Sequence, residues 1–201
     1  MTVGQLISAH VVKARWAYFE LASERFGPAY AGSGPQHLFD AARAGEPFSK
    51  LDASDHHELV RMLNFARPGP FAAVVDTSPL YRCKALTAEQ LSQLWALPSF
   101  GLGPTNSGIQ LMDFFHKTYG AGNVPSAGDP RSAAATGKPL PADHEPVIVI
   151  RTNGRHVLLE GYSRAVAFMS ATNTADRLLA WFPWAIQFNR TKSFGSRMER
   201  D

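Results

Sequence analysis

At 201 residues, with 45% hydrophobic and 18% charged, the chain has the balance of one folded domain and excludes intrinsic disorder. Twenty Lys and Arg against 17 acids leave a formal charge of +3, too mild to call for a nucleic-acid partner. The only cysteine, Cys83, excludes an intramolecular disulfide, and no run approaches the ~20 apolar residues of a membrane span. Gln5, Ser8, His10, Lys13 and Arg15 break up the amino-terminal apolar residues, unlike a signal peptide. A cytoplasmic protein without membrane contact is the expectation.

Val3, Leu6, Ile7, His10, Val11, Ala14, Ala17, Tyr18 and Leu21 recur at helical spacing. They predict one long helix capped by Thr2 and ended by Gly27-Pro28. Its aromatics Trp16, Tyr18 and Phe19 read as core or as the seam of a homodimer. A short helix is expected over Gln36 to Ala44, and a second to about Ala66, with Asp55 and Glu58 as its capping box. Phe71 to Val75 and Leu80 to Leu86 are candidate strands, and Thr87 with Gln90 caps a helix through Trp95. Pro98 to Gly108 reads as loop, Ile109 to Tyr119 as helix, and Gly120 to Pro141 as a long Gly/Pro/Ser/Ala loop suited to a lid. Pro146 to Arg151 is the clearest strand, Asn153-Gly154 a hairpin turn, and His156 to Glu160 the returning partner. Ser163 to Ala171 has helical composition, and Arg177 to Phe182 predicts a last strand closed by Pro183.

The chemistry concentrates where the returning strand meets the following helix. In Glu160-Gly161-Tyr162-Ser163-Arg164-Ala165-Val166-Ala167 a strand ends and a helix begins with almost no loop. The first N–H groups of a helix lack intrahelical partners and carry the positive end of its dipole, so an anion satisfies both. Gly161 permits a sharp turn and close approach of a ligand, Ser163 adds a hydroxyl, and Arg164 adds a fork suited to phosphate. The competing reading is structural: Arg164 pairs with Glu160 or Glu145, and Gly161 only makes the turn.

This unit, a strand, hairpin and strand leading into Glu160-Gly161-x-x-Arg164 and small residues, resembles the ParB/sulfiredoxin superfamily. The resemblance spans about Leu80 to Trp184 and is sharp only from Val147 to Ala167. It implies an α/β fold with a small mixed sheet for a core over 71–201; the helical extension over 1–70 and the insertion at 120–141 are departures from the family's pattern. It also implies a nucleotide or phosphate-bearing small molecule as ligand, a nucleoside triphosphate with Mg²⁺ in particular, held by Gly161, Tyr162, Ser163 and Arg164. Sulfiredoxins carry a catalytic cysteine where this chain has Tyr162, which disfavours sulfinic-acid reduction. Fewer than ~40 residues follow Ala167, too few for a helix-turn-helix module, which disfavours a DNA-associated ParB-like role.

Phosphoryl transfer stays open because no general base stands out; Glu160 is the nearest carboxylate. A non-catalytic scaffold or partner-binding protein is the second reading, favoured by a helix start filled with its own side chains. Other candidates carry less. Adjacent His56 and His57 point about 100° apart on a helix and suit solvent better than a metal, and His116, His144 and His156 are scattered. Cys83 reads as a small buried hydrophobe, and Trp181, Phe182 and Trp184 as core or interface. The basic run Arg190, Lys192, Arg197 and Arg200 reads as a solvated tail.

Overall fold

The computed structural model describes residues 1–24, 26–67, 70–97, 109–114, 144–170 and 177–184. Alternation along its strands decides where two cores form. In β5 (Val147–Thr152), Val147 and Val149 face one way, Ile148 and Ile150 the other, and all four are buried, as in a strand covered on both faces. β6 (Arg155–Glu160) returns antiparallel through Asn153 and Gly154, whose φ angles of +49° and +74° are the left-handed pair that a tight hairpin requires. The expected hairpin is therefore present.

β7 (Leu178–Trp184) runs parallel to β5 on its other side, and β2 (Leu80–Leu86) pairs antiparallel with all of β7. β1 (Leu6–Ser8) extends the sheet beyond β2, while β3 (Trp95–Ala96) and β4 (Ile109–Gln110) extend it beyond β6. The result is a seven-stranded mixed sheet in the order β1-β2-β7-β5-β6-β3-β4, an α/β fold as the sequence leads one to expect.

Helices α1 (Ala9–Leu21), α2 (Gln36–Arg43) and α3 (Ala53–Ala66) cover one face. There Val12, Trp16, Leu59 and Met62 pack with Tyr81, Cys83, Ile150 and Trp181 in one buried cluster. Helices α5 (Ala88–Ser92) and α6 (Tyr162–Ser170) serve the other face, where Leu91, Ala165 and Val166 join Leu86, Val149, Leu158 and Leu178. Burial raises the pKa of the Cys83 thiol, in keeping with a packing role.

Several local expectations are corrected. The first helix starts at Ala9 rather than near Val3, and Ser8, not Thr2, is its cap: the Ser8 hydroxyl accepts the Val11 N–H at 3.3 Å. Leu6–Ser8 is a strand because β2 offers a free edge; the Gly4 N–H donates to the Cys83 carbonyl and the Cys83 N–H to Gln5. Helix α3 is capped one turn earlier, by Asp52 with Asp55 in a reciprocal box, and Glu58 pairs with Arg61 at 2.7 Å. Phe71–Val75 is not a strand: α4 (Pro70–Ala73) leads into a 3-10 turn at Val74–Thr77, with Ala72 and Val75 buried at helical spacing. A short apolar run fits either period, and tertiary burial decided it.

The helix opened by Thr87 ends at Ser92, and Trp95 instead enters the sheet beside Val157. Ile109–Gln110 is a strand, followed by a helical turn at 111–114, where a helix from Ile109 was expected. α6 begins at Tyr162, one residue before the expected start. β7 runs on through Pro183, which sits opposite Tyr81; β5 pairs with β7 only as far as Trp181, so on that side Pro183 has no ladder bond to lose. The Pro98–Gly108 and Gly120–Pro141 segments, His116, the expected helix beyond 114 and the basic tail lie outside the described residues.

Candidate functional site

The β6–α6 junction has almost no loop because Gly161 adopts φ of +97°, a conformation side chains disfavour. A Cβ there would lie 2.5 Å from Val147 Cγ1 and 3.1 Å from Arg164 Nη2. The space that the sequence reading reserved for a ligand is therefore filled by a strand residue and by the arginine itself. Glycine is required twice over, by its dihedral angle and by the contact.

Arg164 turns back onto the chain that precedes it. Its guanidinium donates to the carbonyls of Glu145, at 2.5 Å, and Pro146, at 3.3 Å, and pairs with the Glu160 carboxylate. The Gly161 amide beside it favours the same carboxylate's charge, so the helix start and the guanidinium both act on one anionic group. Burial pushes the Glu160 pKa up from its ordinary value; Arg164 opposes this, and nearby Glu20 reinforces it.

Tyr162 acts as a fastener. Its hydroxyl donates to the Leu158 carbonyl at 2.7 Å and accepts the Leu97 N–H at 3.0 Å, tying the chain after β3 to the end of β6. Its ring meets Phe114 edge-on, and burial raises its pKa well above the ordinary tyrosine range. Ser163 is half-buried, and its hydroxyl makes no hydrogen bond among the described residues. The structure thus brings Glu160, Gly161 and Arg164 into one contact set and gives Tyr162 a separate task.

Glu160 and Arg164 also form part of the wall of a cleft of about 340 Å³. Helix α1 supplies Trp16, Phe19 and Glu20, Phe26 also lines it, Glu145 comes from the segment just before β5 and Ile148 from β5 itself. Two further ion pairs frame it. Arg15 holds Glu145 with two bonds, of 2.8 and 2.6 Å, and Arg67 holds Glu20 with two, of 3.3 and 2.5 Å. The Tyr30 hydroxyl donates to Glu20 at 2.5 Å, and burial beside that carboxylate raises the tyrosine pKa. Three arginines thus balance three glutamates, but only Arg164 among those arginines lines the cleft.

Sequence reasoning missed Arg15, Glu20, Arg67 and the aromatic wall. Arg15 and Glu145 are 130 residues apart, and no local pattern marks either of them. Elsewhere, His56 stacks on Phe48 with ring centroids 4.6 Å apart, and His57 lies 4.5 Å from His10. Among the described residues no group of three or more His, Cys, Asp or Glu is arranged to hold a metal ion. His144 is buried and accepts the Leu179 N–H at 3.4 Å. No described helix is long and apolar enough to cross a membrane. Comparison of the chain with family profiles, with curated proteins and with solved structures gave no match.

Proposed function

We propose that the chain is a small-molecule-binding module whose ligand enters the cleft beside the start of α6, with a phosphate group replacing the Glu160 carboxylate on Arg164 and the Gly161 N–H. The observation that carries this reading is the Arg164–Glu160 pair set beside the Gly161 amide at the wall of a cleft. Glu160 occupies the place that an external anion takes at such a helix start. Its raised pKa means that burial works against its charge there, which eases its displacement. Trp16, Phe19 and Phe26 offer apolar, planar surface to the rest of a nucleotide-like ligand.

Glu20 and Glu145 on the same wall repel a bare triphosphate. A nucleotide bearing Mg²⁺ meets less repulsion, because the cation neutralises phosphate oxygens and tolerates one or two carboxylates nearby. Binding is therefore expected to need Mg²⁺. The cleft supplies no assigned general base, and Glu160 acts in this reading as a competitor for Arg164 rather than as a catalyst.

The scaffold reading rests on the same atoms: a helix start already filled by its own side chains needs no ligand. Calorimetric titration of nucleoside triphosphates, with and without Mg²⁺, into wild type, Glu160→Gln and Arg164→Ala separates the two. Displacement predicts tighter binding by Glu160→Gln and loss in Arg164→Ala. Absence of binding by all three leaves the scaffold reading standing.

A further inference from the structure

Away from this cleft, the sheet face that carries Leu86 and Phe182 presents a second surface of different chemistry. Arg82 and Lys84 of β2, Phe182 and Trp184 of β7, Arg151 of β5 and His156 of β6 come together there. Cations and rings alternate. The Arg82 guanidinium lies 3.3 Å from the Trp184 ring centroid, Lys84 Nζ lies 4.4 Å from that of Phe182, and the His156 ring lies 4.7 Å from Phe182. Arg155, which stacks over Trp95 at 3.7 Å, projects from the other face of β6 and borders this surface only at the hairpin end. An open groove of about 590 Å³ runs past Lys84, Arg155, His156, Arg177 and Phe182, and among the described residues neither Asp nor Glu lines it.

The charge there is unbalanced. Lys13, Arg15, Lys50, Arg61 and Arg67 each pair with a carboxylate. Arg82, Lys84, Arg151 and Arg177 make no ion pair among the described residues. Lys84, Arg151 and Arg177 are exposed, and the buried Nε of Arg82 has no hydrogen-bond partner. Burial, Arg151 and Lys84 all lower the His156 pKa, and no carboxylate offsets them.

From this arrangement we propose that the face is a docking surface for single-stranded nucleic acid. The cations fit a phosphate backbone, the half-buried Trp184 beneath Arg82 fits a base, and the buried Phe182 supports Lys84 and His156. A guanidinium lying flat on an indole presents a planar outer face on which a base stacks. An acidic protein segment or an anionic membrane satisfies the cations but makes no use of interleaved rings. The surface shares no lining residue with the cleft, so the proposal stands apart from the phosphate-ligand reading.

The test is fluorescence anisotropy of labelled 20-nucleotide oligouridylate and oligodeoxythymidylate with the full chain at 50 and 200 mM salt. Four phosphates neutralised by Arg82, Lys84, Arg151 and Arg177 give a log–log salt slope of about −2.8, or about 50-fold weaker binding across that range. Lys84→Glu with Arg151→Glu, both on exposed sites, should abolish binding without loss of fold. Trp184→Leu should weaken oligonucleotide binding about fivefold or more while leaving heparin binding unchanged, and Trp184→Phe should restore part of it. No binding at 50 mM salt, binding that survives the double charge reversal, or equal capture of heparin and anionic vesicles with indifference to Trp184, would each overturn the proposal.

Discussion

Removing Arg164 tests how the β6–α6 junction is held and what it is for. The side chain is about a quarter exposed, donates to two backbone carbonyls and pairs with Glu160. Breaking a fully buried pair costs ~3–5 kcal/mol and an exposed one at most ~1, so Arg164→Ala should cost about 2–3 kcal/mol. For a domain of this size, that lowers Tm by roughly 4–12 °C. Glu160→Gln should cost less, about 1 kcal/mol, because the substitution removes a charge that burial already disfavours and keeps an acceptor for Arg164. Denaturant melts of both singles and the double variant should give a coupling of about 1 kcal/mol or more. The same proteins then go into the nucleotide titration. An anion that must displace Glu160 gains when the competitor is neutral, so Glu160→Gln should bind Mg²⁺-nucleotide about tenfold tighter despite its lower stability. Coupled stability with no gain in affinity would refute displacement and leave Arg164 as a structural brace.

Gly161→Ala should destabilise by about 2–4 kcal/mol in denaturant melts, since it combines a disfavoured φ with a contact to Val147 that only backbone movement relieves. Tyr162→Phe removes one donor and one acceptor at once and should cost about 1–3 kcal/mol, with faster hydrogen exchange at the Leu97 amide. The pKa values of His10 and His56 are lowered chiefly by burial, so protonation favours the unfolded chain. Their contribution to stability is complete above the ordinary histidine pKa of ~6.5 and is lost as pH falls below it; His56→Phe should flatten part of that loss in melts between pH 7.5 and 5. Glu160 acts oppositely. Its raised pKa makes its contribution greatest below the ordinary carboxylate range and diminishing as pH rises through the folded value, a trend absent from Glu160→Gln.

The legible parts of this fold are those whose signals are local. Asn153-Gly154 encodes its turn through backbone preference alone, and the Thr87–Gln90 box is present because both partners lie within one turn. The expectations that failed depended on what a segment meets. Leu6–Ser8 belongs to the periodic run of the first helix, yet it extends the free edge of β2. Phe71–Val75 is apolar enough for a strand, but the face formed by Ala72 and Val75 suits a helical turn against the core. At the candidate site, Gly161 and Arg164 were visible as a pair. Their immediate engagement by Val147, Glu145 and Glu160 was named in sequence only as the competing reading for Arg164. The cleft itself was invisible, since its aromatic wall comes from a helix about 140 residues earlier in the chain.

The modest net charge explains why the basic face was also missed. Composition counts Lys and Arg against Asp and Glu over the whole chain, but the field at a surface depends on where each partner sits. Here the carboxylates Glu20, Glu145 and Asp76 are drawn to the helical layer, where they neutralise Arg67, Arg15 and Lys13. Each of those pairs involves α1, and on the sheet's opposite face Arg82, Lys84, Arg151 and Arg177 make no ion pair among the described residues. The rings beneath them serve two purposes: Phe182 closes the second core while its surface supports Lys84 and His156. Such a face keeps its charge only if the carboxylates stay occupied elsewhere. Glu145→Gln should therefore disturb the packing of Arg15 and leave oligonucleotide binding at the distant face unchanged, a separation that melts and anisotropy on one variant can read together.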